Sequence, residues 1–376
     1  MKNVRGAMGH RSTSRAAAVT VGILAGSMAL AACSSSSPST SGGTSGATSS
    51  EKVGVSLILK TLSNPYFVSM EKDAKTEAAA DNVSLTVAAG KQDGDTQTQI
   101  SAIDNAISRG DKGILITENG NAVNTELAKA RAAGLYVIAL DTVPTPASTV
   151  DITYGTDNEA AGKLIGEYTA AKLAGQKAVI AMLDLFNDQV VSVDIARDHG
   201  FLEGMGIDPG STTQNGQEAK SGKYTGGTGG DYVIACHQPT TGAIPGGKTA
   251  MENCLSANPD INVVYTINEP AADGANQALK AAGKTGVTIV TIDGSCNYVN
   301  GLLKDGTIAA DSAQYPGKMA SIGVKTIADI ARGGTKPTLP SGKDFIDTGT
   351  ALITSQPIAG ITSVTPASAA GTCCGS

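Results

Sequence analysis

"VGVSLILKTLSNPYF", Val53 to Phe67, decides the architecture. Its first seven residues are apolar or small on both faces, with none of the in-and-out alternation of a strand exposed on one side. Such a run fits a strand buried on both faces of a parallel sheet. Asn-Pro then marks the start of a helix, since proline suits the first helical turn and asparagine caps it. Two aromatic rings follow at once, in a chain with no Trp and only four Phe. Rings this scarce, set at the tip of a strand beside an Asn, suggest a site as well as a core.

Working outward, the same unit repeats. "VSLTVAA" precedes a helical pattern from about Thr96 to Arg109, "GILIT" precedes one from Asn121 to Ala133, and "YVIAL" follows. The pattern restarts with "KAVIAMLD", "DYVIACHQ", "VVYTI" and "VTIVTID", each followed by Gly, Asn or Asp and then a helix-forming segment. Strands alternating with crossover helices make a doubly wound α/β unit, and two such lobes in series account for the whole. Ligands of open parallel sheets bind beyond the carboxyl ends of the strands. Those ends carry Asn64 with Tyr66 and Phe67, then Asp141, Asn268 and Asp293. Strand-end Asp and Asn also serve as plain helix caps, but acids and amides from both halves of the chain, joined by an aromatic pair, favour a cleft.

The front of the chain bears on where it works. Residues 1–32 carry Lys2, Arg5, Arg11 and Arg15, an apolar stretch and no acid, as an export signal does. The stretch ends in "LAAC", Leu30 to Cys33, which resembles the lipobox of bacterial lipoproteins and makes Cys33 the expected lipidation site. A membrane span is the competing possibility, but the apolar core is short. The Ser, Gly and Thr tract from 33 to 50 then serves as a tether. Removing those four basic charges takes the formal net charge from −6 to about −10. An acidic surface with no Lys or Arg cluster excludes nucleic acid as an expected partner.

"LSNPYFVSMEKDAK", "GILIT", "YVIALDT", "TINEPAADGANQAL", "TIDGSCNYV" and "SAQYPGKMA" come in the order found in the type I periplasmic sugar-binding proteins of ABC importers, which the chain resembles from Lys52 to about Pro357. The stretch from Gly246 to Leu279, with "GKDFIDTG", is most similar to the fructose-binding branch. The resemblance implies an extracytoplasmic, lipid-anchored monomer that closes two lobes on a monosaccharide and delivers it to permease subunits, without cofactor, metal or catalysis. A sugar receptor for a sensor kinase is the alternative, and a secreted carbohydrate-active enzyme a more distant one. It further implies that Asn64, Asp141, Asn268, Asp293 and Gln314 bind sugar hydroxyls while Tyr66 and Phe67 flank the ring. Apolar C–H faces suit aromatic rings, and carboxylates accept two hydroxyls each. The family's Arg on the first long helix of the second lobe has only an approximate match, Arg197, about two positions out of register, with Asp194 three residues before it. Either can face the sugar, and Arg197 can equally pair with an acid on the surface.

The resulting division is 51–155 plus 315–350 for the first lobe, 156–312 plus 351–365 for the second, and 366–376 as a tail, with hinge crossings near Gly155, Ser312 and Gly349. Beyond Cys33 there are five cysteines. Cys236 and Cys254 flank one loop, whose closure as a disulfide contributes roughly 3 kcal/mol. Cys296 has Cys373 or Cys374 as possible partners, and the odd number leaves at least one thiol unpaired. No CxxC pair occurs, so no zinc site is expected, and His199 and His237 read as surface residues. No GxSxG elbow with a partner His is present to suggest a hydrolase.

Overall fold

The computed structural model describes residues 52–372. The export signal, Cys33, the tether and the terminal cysteine pair lie outside that range. The chain first lays down β1 (Val53–Leu59), α1 (Pro65–Ala80), β2 (Val83–Ala89), α2 (Thr96–Arg109), β3 (Gly113–Ile116), α3 (Asn124–Ala132), β4 (Tyr136–Leu140) and β5 (Ile152–Gly155). With β12 (Ile346–Asp347) these strands form a sheet ordered β12-β5-β4-β3-β1-β2, parallel throughout. Apolar clusters cover both of its faces, as the unalternating strands require.

The second lobe adds α4 (Asn158–Leu173), β6 (Ala178–Asp184), α5 (Ser192–Met205), β7 (Ser221–Tyr224), β8 (Gly230–Pro239), α6 (Ile244–Ala257), β9 (Val263–Thr266), α7 (Glu269–Ala281), β10 (Thr288–Asp293), the short α8 (Cys296–Tyr298) and β11 (Ala310–Ala313). The chain then returns to the first lobe through α9 (Pro316–Ala331) and β12 before ending its second sheet with β13 (Ala351–Ile353). That sheet runs β13-β11-β10-β9-β6-β8-β7, with β7 and β13 antiparallel to their neighbours. The polypeptide therefore passes between the sheets at three places, after β5, after β11 and after β12. The three segments are stitched side by side: Thr348 N–H donates to Gly155 O at 2.7 Å, and Thr350 Oγ1 to Ala313 O at 2.8 Å. The expected tail is partly built in, because α10 (Pro366–Ala369) packs Ala369 into the second lobe's core.

Two local features position side chains. First, α4 and α5 meet backbone to backbone. A Cβ on Gly162 would come 2.3 Å from Arg197 O, and one on Gly200 would come 2.1 Å from Glu159 O, so only glycine permits the approach. Second, the pairing of β6 with β8 slips between Ile180 and Ala181, leaving Ala235 as an extra residue on β8. A bulge reverses which face the following residues occupy. Tyr232 and Ile234 face the α5 side, and after the bulge His237 does too, while Cys236 turns to α6 and bonds Cys254. The Cys236–Cys254 disulfide expected from the loop they flank is thus present, and Cys296 is disulfide-bonded as well.

Candidate functional site

Each sheet changes winding direction once, between β1 and β3 and between β6 and β9. Loops beyond these points diverge and leave a crevice, and here the two crevices face each other. The facing residues are Lys60, Asn64, Tyr66, Phe67, Asp93 and Asp141 from the first lobe, with Leu185, Val193, Arg197, Ile267, Asn268 and Asp293 from the second.

Asparagine caps set both rims. Asn64 Oδ1 accepts from Tyr66 N–H at 2.9 Å at the start of α1, leaving its amide nitrogen 3.5 Å from Asp293 Oδ2 in the other lobe. Asn268 Oδ1 accepts from Ala271 N–H at 3.1 Å at the start of α7, and its Nδ2 donates to Gly242 O. Both residues cap a helix and line the cleft, so capping and a place in the site are compatible. Asp293 is no cap: Ser295 takes that position for α8. The two strand-end acids instead hold unusual backbones, φ 64° at Asp141 and 143° at Asp293. Non-glycine residues rarely adopt positive φ, and such strain concentrates at functional positions.

Arg197 joins the lobes. Its Nε donates to Asn158 Oδ1 at 2.7 Å and Nη1 to Ile267 O at 3.0 Å, which fixes the guanidinium. The same group lies 3.5 Å from Asp141 and 3.6 Å from Asp293, with all three side chains buried. Tyr66 Oη donates to Asp141 Oδ1 at 3.1 Å, and the Tyr66 and Phe67 rings meet edge to face at 5.1 Å. Gln314 is not on the cleft wall but behind it, donating to Asp293 Oδ1 at 3.0 Å. Burial pushes Asp293 up to about 7, against the pull of Arg197 and with a further push from Asp311. Burial likewise raises Asp93 to about 6. The space enclosed by these groups is about 20 Å³, roughly one water molecule, so the lobes must part to admit anything larger.

Besides Gln314, expected to bind sugar hydroxyls but found behind Asp293, two sequence expectations need correction. Asp194 does not face the cleft: its oxygens accept from Leu185 N–H at 2.8 Å and Phe186 N–H at 3.3 Å, because one turn before Arg197 the helix lies against the end of β6. The histidines are not plain surface residues either. His199 is buried with its ring against Gln214 O, and His237 sits among carboxylates. Burial alone would lower the His237 imidazole, but hydrogen bonds to Asp184 and Glu218 prevail and raise it to about 10. Sequence reasoning missed Lys60 and Asp93, which sit in loops that read as ordinary turns, and the apolar wall of Leu185, Val193 and Ile267.

The family described as "Periplasmic binding protein domain" matches residues 55–335. The ribose import binding protein RbsB of Escherichia coli (strain K12) is 29% identical over 280 residues, spanning 74% of this chain and 85% of that protein. The D-ribose/D-allose-binding protein of Pseudomonas aeruginosa is 27% identical over 312 residues, 81% and 89% of the two chains. A crystal structure of an ABC transporter periplasmic solute binding protein from Actinobacillus succinogenes, with bound D-allose, superposes with a TM-score of 0.66 at 23% identity and covers 81% of this chain and 98% of that one.

Proposed function

The chain belongs to the periplasmic binding protein family, and from that membership we propose that it closes its two lobes on a monosaccharide and delivers the sugar to an ABC importer. The observation that carries the proposal is Arg197, pinned by Asn158 and Ile267 O so that it stands between a first-lobe and a second-lobe carboxylate. Its contacts to both acids are longer than ordinary hydrogen bonds. A sugar hydroxyl between them would donate to Asp141 or Asp293 and accept from Arg197, while Asn64 and Asn268 supply amides at the rims. Tyr66 and Phe67 offer apolar edges to the ring's C–H groups. Gln314 orients Asp293 from behind. Nothing happens chemically to the ligand.

Fructose heads the list of sugars on the strength of the stretch from Gly246 to Leu279, with ribose and allose, named for the relatives above, next to be tested. Calorimetric titration against this panel tests the proposal, with Asp293→Asn as the decisive variant. A neutral amide leaves one acceptor where the carboxylate had two, so the best sugar should bind about 1.5 to 3 kcal/mol more weakly to a variant that still folds. No heat from any monosaccharide, or an affinity within twofold of the parent for Asp293→Asn, would refute the site as drawn. We further propose that Cys33 carries the lipid that tethers the monomer outside the membrane. Cys33→Ser should then release the protein from the membrane fraction, and unchanged partitioning would rule the anchor out.

A further inference from the structure

On the far side of α5 from the cleft, four segments converge on one imidazole. Asp184 ends β6, His237 lies on β8 after the bulge, Asp198 is on α5 and Glu218 precedes β7. His237 Nδ1 is 2.7 Å from Asp184 Oδ2 and 4.0 Å from Asp198 Oδ2, and Nε2 is 3.1 Å from Glu218 Oε1. Asp184, Asp198 and Glu218 are each no more than 4% exposed.

The acceptors outnumber the donors. Even a doubly protonated ring, with Lys220 Nζ donating to the same Glu218 Oε1 at 3.1 Å, satisfies only one oxygen of Asp184 and one of Glu218. Both oxygens of Asp198, Asp184 Oδ1 and Glu218 Oε2 are buried with no hydrogen-bond partner. Unpaired buried acceptors are costly, and they call for a cation or for protons. Among the described residues, Asp184, Asp198 and His237 bring one donor atom each to within 4.8 Å of one another. A cavity of about 460 Å³, lined by Asp194, Gln214, Asn215 and Gln217 among others, opens onto Asp184 and His237. It supplies a route in from solvent and space for water in the remaining coordination positions.

We propose that Asp184, Asp198 and His237 form a binding site for a divalent transition cation of the zinc class. His237 coordinates through Nδ1, giving up that proton to solvent, while its Nε2–H donates to Glu218. A ligating imidazole tied by its other nitrogen to a carboxylate is the usual arrangement that fixes tautomer and ring orientation. One imidazole with two carboxylates suits zinc, and manganese less strongly, whereas calcium and magnesium prefer all-oxygen shells. The bulge makes the site possible. Were β8 to alternate regularly through Ala235, His237 would face α6 and Cys236 would take its place beside Asp184.

The test uses the full chain, stripped with a chelator and titrated calorimetrically with zinc chloride. One zinc should bind per chain with micromolar or tighter affinity and raise the melting temperature. Manganese should bind more weakly, and calcium and magnesium should give no heat. Asp198→Asn and His237→Gln should each weaken zinc at least a hundredfold, and Glu218→Gln by ten- to a hundredfold. Circular dichroism of the metal-free variants verifies that they fold. If His237→Gln does not fold, the near-isosteric Asp198→Asn and Glu218→Gln decide. Cobalt in place of zinc should give a spectrum free of thiolate charge-transfer bands, which separates the site from the terminal cysteines. Failure of the folded parent to bind zinc would overturn the proposal, as would zinc affinity within twofold of the parent in Asp198→Asn.

Discussion

Two nests of buried charge flank α5, and adjacent residues of that helix serve them. Arg197 points into the cleft between Asp141 and Asp293, one acid from each lobe. Asp198 points into the second lobe, towards Asp184 and His237. The first nest has a cation that never loses its proton and partners that belong to opposite lobes. The second has a titratable imidazole and partners that all belong to one lobe. Charge assembled across a moving boundary can report closure, whereas charge enclosed within one rigid lobe persists through it. The α4–α5 glycine contact explains how one helix supports both, since it fixes the helix on a backbone surface that side-chain repacking cannot shift.

The strongest way to break this contrast is Arg197→Met. Removing one partner from a buried ion pair leaves uncompensated carboxylates, at a cost of about 3 to 5 kcal/mol. Because those carboxylates sit in opposite lobes, the variant should favour the open form, with a larger radius of gyration by small-angle scattering and at least a hundredfold weaker sugar binding. Unchanged scattering and affinity would show that Arg197 does not couple the lobes.

A second probe is pH. Burial holds Asp93 at about 6 in the folded chain, against an ordinary carboxylate at 3.8. The folded state therefore binds the proton more tightly than the unfolded one between these values, and stability falls as pH rises through that window. The loss approaches about 3 kcal/mol above pH 6. Asp93→Asn should remove this part of the slope in urea denaturation curves measured at pH 4 and pH 7 with saturating sugar, which holds the opposing lobe over Asp93. A parallel slope in parent and variant would show that Asp93 ionises freely.

The smallest effect sharpens the contrast most. Asp194 shares the helix with Arg197 but serves the backbone of Leu185 and Phe186. Asp194→Asn should leave sugar affinity within about twofold while lowering stability by roughly 1 kcal/mol, since an amide oxygen replaces only one of the two acceptors. A tenfold loss of affinity would return Asp194 to the cleft.

Eight of the thirteen described strands, their order in the chain and the residues at their tips were legible because central parallel strands advertise themselves as unalternating apolar runs; the short β5, β7, β11, β12 and β13 offer too few residues for that signal. Arg197 and Asp194 were harder to separate. Three residues apart on a helix they point only about 60° from each other, and the length of the arginine, rather than its spacing, carries it to the cleft. Asp93 lies in "KQDGDT", which reads as a turn and is one; its burial comes from the opposing lobe, where Gly242 approaches its carboxylate. The His237 nest was not legible at all. Its members come from four separate segments, and the face that His237 occupies depends on one unpaired residue of β8, which no periodicity within that strand reveals.

The three passages between the sheets also bear on the order in which the molecule can be made. Met319, Ala320, Val324, Ile327 and Ala328 of α9 complete one face of the first sheet, yet they leave the ribosome after β6 to β11. The first lobe, begun earliest, must wait with an apolar face uncovered while nearly all of the second is synthesised. A nascent chain halted before Pro316 would hold a first sheet open on one side, a natural handhold for a chaperone and a poor substrate for early folding. Recombination meets the same obstacle from another direction: since neither lobe is a continuous stretch of sequence, exchanging one whole lobe with a relative takes several joints in the gene, and inheritance favours the pair.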